Sequence, residues 1–198
     1  MTYIALEGIE GAGKSTVRTR LAAALQADGL DLVEVREPGG TATGEQIRNI
    51  VLNPDGDVSP WAEALLFAAA RSQLAVDVIA PALAAGKTVV GDRCVYSSIA
   101  YQGGARGLGI PEVRAVNEAG LGGVWPDLVI LLRLEAAQGL DRQEGPDRIG
   151  AEGASFMELV VTAYDKLAAE EPDRFEVIDA SLDIDEVTSL AHAAVRSR

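Results

Sequence analysis

Short apolar runs alternate with stretches of helical periodicity along the whole chain. Tyr3-Ile4-Ala5-Leu6 is the first run, and Val17, Leu21, Ala24 and Leu25 then recur at helical spacing. They predict a strand over about 3–7 and a helix over about 14–28, closed by Asp28-Gly29. Leu32-Val33-Glu34-Val35-Arg36 predicts a second strand, and Ile47, Ile50 and Val51 mark one face of a helix over 43–52. A long helix is expected over 61–84, with Leu65, Leu66, Ala69, Leu74, Val78 and Ile79 among its apolar positions. Pro81 should kink or end it. Residues 88–93, 128–132 and 175–179 predict three more strands, and 111–120, 155–170 and 183–196 three more helices. Residues 95–102 allow a helical turn or two, 103–107 reads as a flexible glycine loop, and 139–154 is the least regular stretch. Apolar strands alternating with helices imply an α/β fold: a five-stranded parallel sheet with helices on both faces. With no internal repeat and no long linker, 1–198 is read as a single domain.

Composition is that of an ordinary globular protein, with 48% hydrophobic and 24% charged residues. No apolar run is read as approaching the length of a membrane span, and the first twenty residues read as strand and loop rather than as a signal peptide. The one cysteine, Cys94, rules out an internal disulfide and fits a reducing compartment, so a cytoplasmic location is expected. The net charge of −13 argues against broad nucleic-acid binding and against anionic membrane surfaces. An acidic chain that binds phosphate must concentrate its cations locally, which draws attention to arginines beside glycine loops. His192, in the last helical stretch, reads as a surface residue.

The apolar run 3–6 leads into Gly8-Ile9-Glu10-Gly11-Ala12-Gly13-Lys14-Ser15, which fits G-x-x-x-x-G-K-[ST] between a strand and a helix. The glycines let successive N–H groups wrap a polyphosphate, and the helix N-terminus, with Thr16 in its first turn, adds partial positive charge. Lys14 can reach the outer phosphates and the Ser15 hydroxyl can ligate Mg²⁺. The strand over 88–93 ends in Asp92, the placement of an acid near that metal. A guanine-reading N-K-x-D is absent: Asn49, Asn53 and Asn117 do not begin one. Other cues point to a small phosphorylated acceptor. Phe67 and Arg71 lie four apart on one helix face, where a ring and a planar donor could hold a nucleobase. Arg48, Arg93 and Arg106 are candidate phosphate contacts.

With these landmarks the chain resembles the bacterial thymidylate kinases over nearly its full length. The matching segments are 8–15, Arg36-Glu37-Pro38-Gly39-Gly40-Thr41, Phe67-Ala68-Ala69-Ala70-Arg71, Asp92-Arg93 and Ser97-Ser98-Ile99-Ala100-Tyr101-Gln102-Gly103. The resemblance implies a three-layer P-loop kinase fold with a short lid over about 139–154, and a cytoplasmic homodimer. It implies transfer of the γ-phosphoryl group of ATP, with Mg²⁺, to dTMP, giving dTDP and ADP. The donor would be held by 8–16 and, near adenine, by Ala180 and Ser181. Phe67 would stack on thymine and Arg71 bond a ring carbonyl. Ser98 and Gln102 would lie near the base, and Tyr101 near the ribose 2′ position. Arg48, Arg93 and Glu37 would complete the acceptor set, with Glu10 facing the sugar and phosphate. Lys14, Arg93, Glu10 and a lid arginine would serve catalysis. The phosphate loop holds no arginine, so Arg148 or Arg142 is expected, with Asp147-Arg148-Ile149 resembling the lid pattern better. Gly150 stands where the family often has an acid, and Cys94 where it has an aromatic residue or histidine. A kinase of another nucleoside monophosphate, a deoxynucleoside kinase using Glu37 as base, and a nucleotide switch remain as alternatives. A phosphate-monoester acceptor needs no general base, since its second pKa is about 6.

Overall fold

The computed structural model describes residues 2–143 and 147–198. Five strands form one parallel sheet: β1 (Tyr3–Glu7), β2 (Leu32–Arg36), β3 (Thr88–Asp92), β4 (Leu128–Arg133) and β5 (Phe175–Asp179). Their spatial order is β2-β3-β1-β4-β5. All five residues of β1 are buried, as are the first five of β4, so both faces of the sheet are covered. That is why these strands read as continuous apolar runs rather than as alternating ones. The chain leaves β1 toward β2 and leaves β3 toward β4, in opposite directions. The crevice at the carboxyl ends of β1 and β3 is therefore a topological switch point, where ligands bind in open α/β sheets.

Register brings the key loops together there. Leu6 lies opposite Asp92, and so does Arg36 from the other side. The loops after β1, β2 and β3 therefore emerge side by side, pinned by Arg93 N–H to the Leu6 carbonyl and Glu37 N–H to the Asp92 carbonyl, both 2.9 Å.

The helices are α1 (Lys14–Ala27), α2 (Ala42–Val51), α3 (Pro60–Ala84), α4 (Val95–Ser98, continuing as a π-helix over Ile99–Ala105), α5 (Ile110–Leu121), α6 (Ala136–Asp141), α7 (Ala154–Glu170) and α8 (Ile184–Arg196). α1 packs with β3 and α8, while α4 packs with α5 and α7, and α3 with α2 and α5. Thr41 and Asp183 cap α2 and α8 through their side chains. α1 instead starts from Gly13, in the left-handed region at φ 85°, with no side-chain cap.

Four expectations are corrected. Pro81 does not end the long helix: a π-helical segment, Ala75–Ile79, precedes it, and Pro81 falls in the first turn of the closing α-helical segment. The glycine stretch 103–107 is not a free loop. Gly103 to Ala105 belong to α4, and a Cβ on Gly104 would meet the Ala163 Cβ of α7 at 2.6 Å, so the glycine serves close helix packing. Within 139–154, Ala136–Asp141 reaches in as helix and Gly150–Glu152 forms a 3₁₀ turn, while 144–146 of the expected lid lie outside the described residues. Finally, α3 is long and apolar enough, by length and composition, to cross a membrane. Its alanines raise the hydropathy, but its face carrying Glu63, Phe67 and Arg71 is buried in the fold.

Candidate active site

The phosphate loop packs against α6 through contacts that only glycine permits. Gly11 has φ 78°, and a Cβ there would come within 2.3 Å of the Gly139 carbonyl of α6. A Cβ on Gly139 would in turn meet Ile9 Cδ1 at 2.6 Å and the Glu10 carbonyl at 2.7 Å. The loop and α6 thus touch backbone to backbone. Lys14 folds over the loop, its Nζ donating to the Gly8 and Ile9 carbonyls at 2.9 and 2.7 Å. Burial, and then the nearby Arg93, bring the Lys14 ammonium down to about 8. A polyphosphate in the loop would push it back up. The Ser15 hydroxyl donates to Asp92 Oδ2 at 2.7 Å, so the two groups expected at a metal stand in contact.

Beyond Asp92 the chain turns sharply. Arg93 sits at φ 71°, the one non-glycine residue in the left-handed region among the described residues. The turn is braced from behind by Glu7, at the end of β1 and fully buried. Glu7 Oε1 accepts the N–H groups of Cys94 and Ser97, both at 2.9 Å. Its Oε2 accepts the hydroxyls of Ser97 and Tyr164, both at 2.7 Å. Arg93 is thereby aimed at the loop: it donates to the Gly8 carbonyl at 3.1 Å and to Glu10 Oε1 at 2.5 Å. Tyr101 closes the cluster, its hydroxyl donating to Glu10 Oε2 at 2.8 Å. Burial opposes the Glu10 charge, but Arg93, Lys14 and the Tyr101 hydroxyl outweigh it and hold the carboxyl below its usual range. Burial likewise opposes the Arg93 charge, and Tyr101, Glu10, Tyr164 and Glu7 overcome it.

A cavity of about 310 Å³ runs from Lys14, Ser15 and Asp92, past Arg93, Glu10 and Tyr101, to Phe67, Ser98 and Gln102. Glu37 and Arg48 also line it. Arg48 donates to the Pro38 carbonyl at 2.9 Å. Glu37 is buried and accepts from Arg71 Nε at 2.6 Å, and burial, only partly opposed by Arg71, raises its carboxyl. With its carboxylate committed to Arg71, Glu37 is poorly placed as a base for a hydroxyl acceptor.

Several expected residues stand elsewhere. Arg71 is 3% exposed and does not line the cavity. Its guanidinium donates to Glu37, Ser98, Asn117 and the Cys94 carbonyl, so it stands behind the wall rather than in it. Arg106 binds Glu63 and Glu152 instead of a phosphate position. Arg148 is not at the phosphate loop: its Nε donates to the Val51 carbonyl at 2.9 Å and its NH2 to Glu63 at 2.5 Å. Its neighbours Asp147 and Ile149 do line the cavity. Arg142 donates to the Ala180 carbonyl at 3.1 Å, which puts it beside the loop that also carries Ser181. Gly8, Ile9, Gly11, Ala12, Gly13 and Thr16 shape the loop without lining the cavity.

Glu7 and Glu63 escaped the sequence reading. Each is an acid within an apolar pattern, Glu7 ending a buried strand and Glu63 one helical turn before Phe67. An acid that the hydrophobic pattern would bury is the signal that could have found them. Arg36 and Ser97 also line the cavity, and both lie within segments already singled out.

A phosphate loop and a wall carrying Phe67, Arg48 and Arg93 in one cavity mark a P-loop nucleotide-binding protein with room for a second small ligand. Comparison with known proteins narrows that class. The family model described as thymidylate kinase matches residues 6–191. Thymidylate kinase of Halothermothrix orenii is 46% identical over 191 residues, covering 93% of this chain and 91% of that protein. Thymidylate kinase of Deinococcus radiodurans is 43% identical over 199 residues, covering 99% and 97%. The chain belongs to the thymidylate kinase family.

Proposed function

We infer that this enzyme transfers the γ-phosphoryl group of ATP to dTMP, giving dTDP and ADP. The observation that carries the reading is the continuity of the cavity from Lys14 and Ser15 to Phe67 and Gln102. Its two ends accept a polyphosphate and a flat base, and Arg93 stands between them. In this reading the uncapped start of α1 and the loop amides hold the donor phosphates, and Lys14 and Arg93 neutralise charge where two polyanions meet. Tyr101 and Glu10 fill the space beside the acceptor sugar. Ser15 and Asp92, already in contact, would hold Mg²⁺, which supplies charge neutralisation on the donor phosphates. Since the acceptor phosphate is already ionised at neutral pH, the protein's task is alignment and charge compensation.

Arg148 is retained as the lid cation for transfer, because its neighbours line the cavity, whereas Arg142 lies beside Ala180 on the side assigned to adenine. As the structure stands, Arg148 is parked on Glu63, and its use at the phosphates requires exchange of that ion pair. A cytoplasmic homodimer is proposed for the working form, with the exposed apolar residues Trp61 and Leu65 of α3 as part of the contact. The test is ADP release with Mg·ATP against dTMP, dUMP, CMP, AMP, GMP and thymidine. dTMP should be the preferred acceptor, and any other order refutes the assignment. Sedimentation of the purified protein checks the dimer.

A further inference from the structure

Glu63, Phe67 and Arg71 recur at intervals of four along α3, so they form one stripe. All three side chains are buried. The ring in the middle faces the cavity, and the charged groups on either side stand behind polar side chains of the cavity wall. Each charge fixes the hydrogen-bond polarity of the group in front of it.

At one end Arg71 donates to Ser98 Oγ at 3.0 Å. A guanidinium has no acceptor, so Ser98 receives that bond and keeps its own O–H to donate. At the other end Glu63 Oε1 accepts from Gln102 Nε2 at 2.8 Å. Arg106 and Arg148 flank the same carboxylate, which therefore serves as acceptor only. The Gln102 amide is thus fixed with its NH2 turned to Glu63. Among the described residues no donor satisfies Gln102 Oε1, and that oxygen is not one of the sealed, unpartnered atoms. Gln102 lines the cavity. Its free carbonyl oxygen is what the amide has left to offer a ligand.

We propose that Glu63 is a positioning residue for base specificity: it holds Gln102 as an acceptor, so that the cavity selects a base with a ring N–H at that edge. This deepens the reading of the Phe67 end as the base site and rests on it. An imide such as thymine or uracil offers a ring N–H between carbonyls. Cytosine offers a bare ring nitrogen there, which would face the Gln102 oxygen lone pair to lone pair. A buried polar group left unpaired by the wrong ligand is an effective basis for rejection.

The experiment compares kcat/KM for dTMP, dUMP and dCMP, by ADP release, in the wild type, Glu63→Gln and Gln102→Met. Glutamine at 63 can accept or donate, so Gln102 is free to turn over. The dTMP-to-dCMP ratio should fall about tenfold, the scale of one hydrogen bond, while the dTMP-to-dUMP ratio stays fixed. Gln102→Met, which leaves the Glu63 ion pairs intact, should lower the same ratio. An unchanged dTMP-to-dCMP ratio in a folded Glu63→Gln, or equal losses for both acceptors, overturns the proposal. If Glu63→Gln does not fold, an unchanged ratio in Gln102→Met overturns it instead. A wild type that does not prefer dTMP refutes the underlying assignment of the site, a result distinguishable from either.

Discussion

Replacing Glu7 by glutamine tests whether the carboxylate behind the Asp92-Arg93 turn holds the reactive geometry. The substitution keeps the size of the side chain and removes its charge. The glutamine carbonyl can still accept the Cys94 and Ser97 N–H groups that Oε1 now receives. Its NH2, however, must face the Ser97 and Tyr164 hydroxyls, which now donate to Oε2 at 2.7 Å. Both hydroxyls have to reverse, and all four charge-assisted bonds become neutral ones. A charged hydrogen bond contributes ~1.5–3 kcal/mol and a neutral one ~1, so the net loss is at least ~2 kcal/mol. At ~2–4 °C per kcal/mol for a chain of this size, melting should fall by at least ~4 °C. Ser97 also receives Arg93 NH1 at 3.1 Å, so its reorientation carries to the catalytic cluster. The expected kinetic result is a loss of about tenfold in kcat/KM for dTMP, with the KM for ATP nearly unmoved. Thermal melting and steady-state ADP release on one preparation measure both. A variant that melts within a degree of the wild type with unchanged kcat/KM would refute the bracing role.

Gly139→Ala should place a methyl group against Ile9 and the Glu10 carbonyl, costing ~1–3 kcal/mol and raising the KM for ATP; melting and ATP titration report it. Arg148→Ala should lower kcat strongly with little change in dTMP affinity, whereas Arg142→Ala should act mainly on the KM for ATP; the opposite pattern would exchange their roles. Phe67→Leu retains most of the buried volume but loses the ring, so dTMP affinity should weaken by ~1–3 kcal/mol with melting little altered; calorimetry decides it.

The sheet was legible because its central strands are apolar without interruption and because glycine and proline mark most element ends. The donor site was legible because its loop is contiguous in sequence. The acceptor site was legible only in part. Phe67, Arg93 and Gln102 could be placed by resemblance, but the role of Arg71 depends on Glu37, Ser98 and Asn117, which come from three other elements. Periodicity shows that two residues share a face, not whether the cavity stops at the first or reaches the second. Pro81 and the glycines at 103 and 104 misled for a related reason. Their local tendency is to break helices, and a π-helical segment and close packing against Ala163 override it. Arg106 was read as a phosphate contact because periodicity does not show that Glu63, buried one turn before Phe67, holds it.

The contact between Gly11 and Gly139 joins two segments 128 positions apart that belong to different tasks, one gripping the donor and the other leading toward 142–154. With no side chain between them there is no compliant layer to absorb a displacement. Movement of one backbone is imposed on the other. Neither position has room for a side chain: one at Gly11 would collide with the Gly139 main chain, and one at Gly139 with Ile9 and the Glu10 carbonyl.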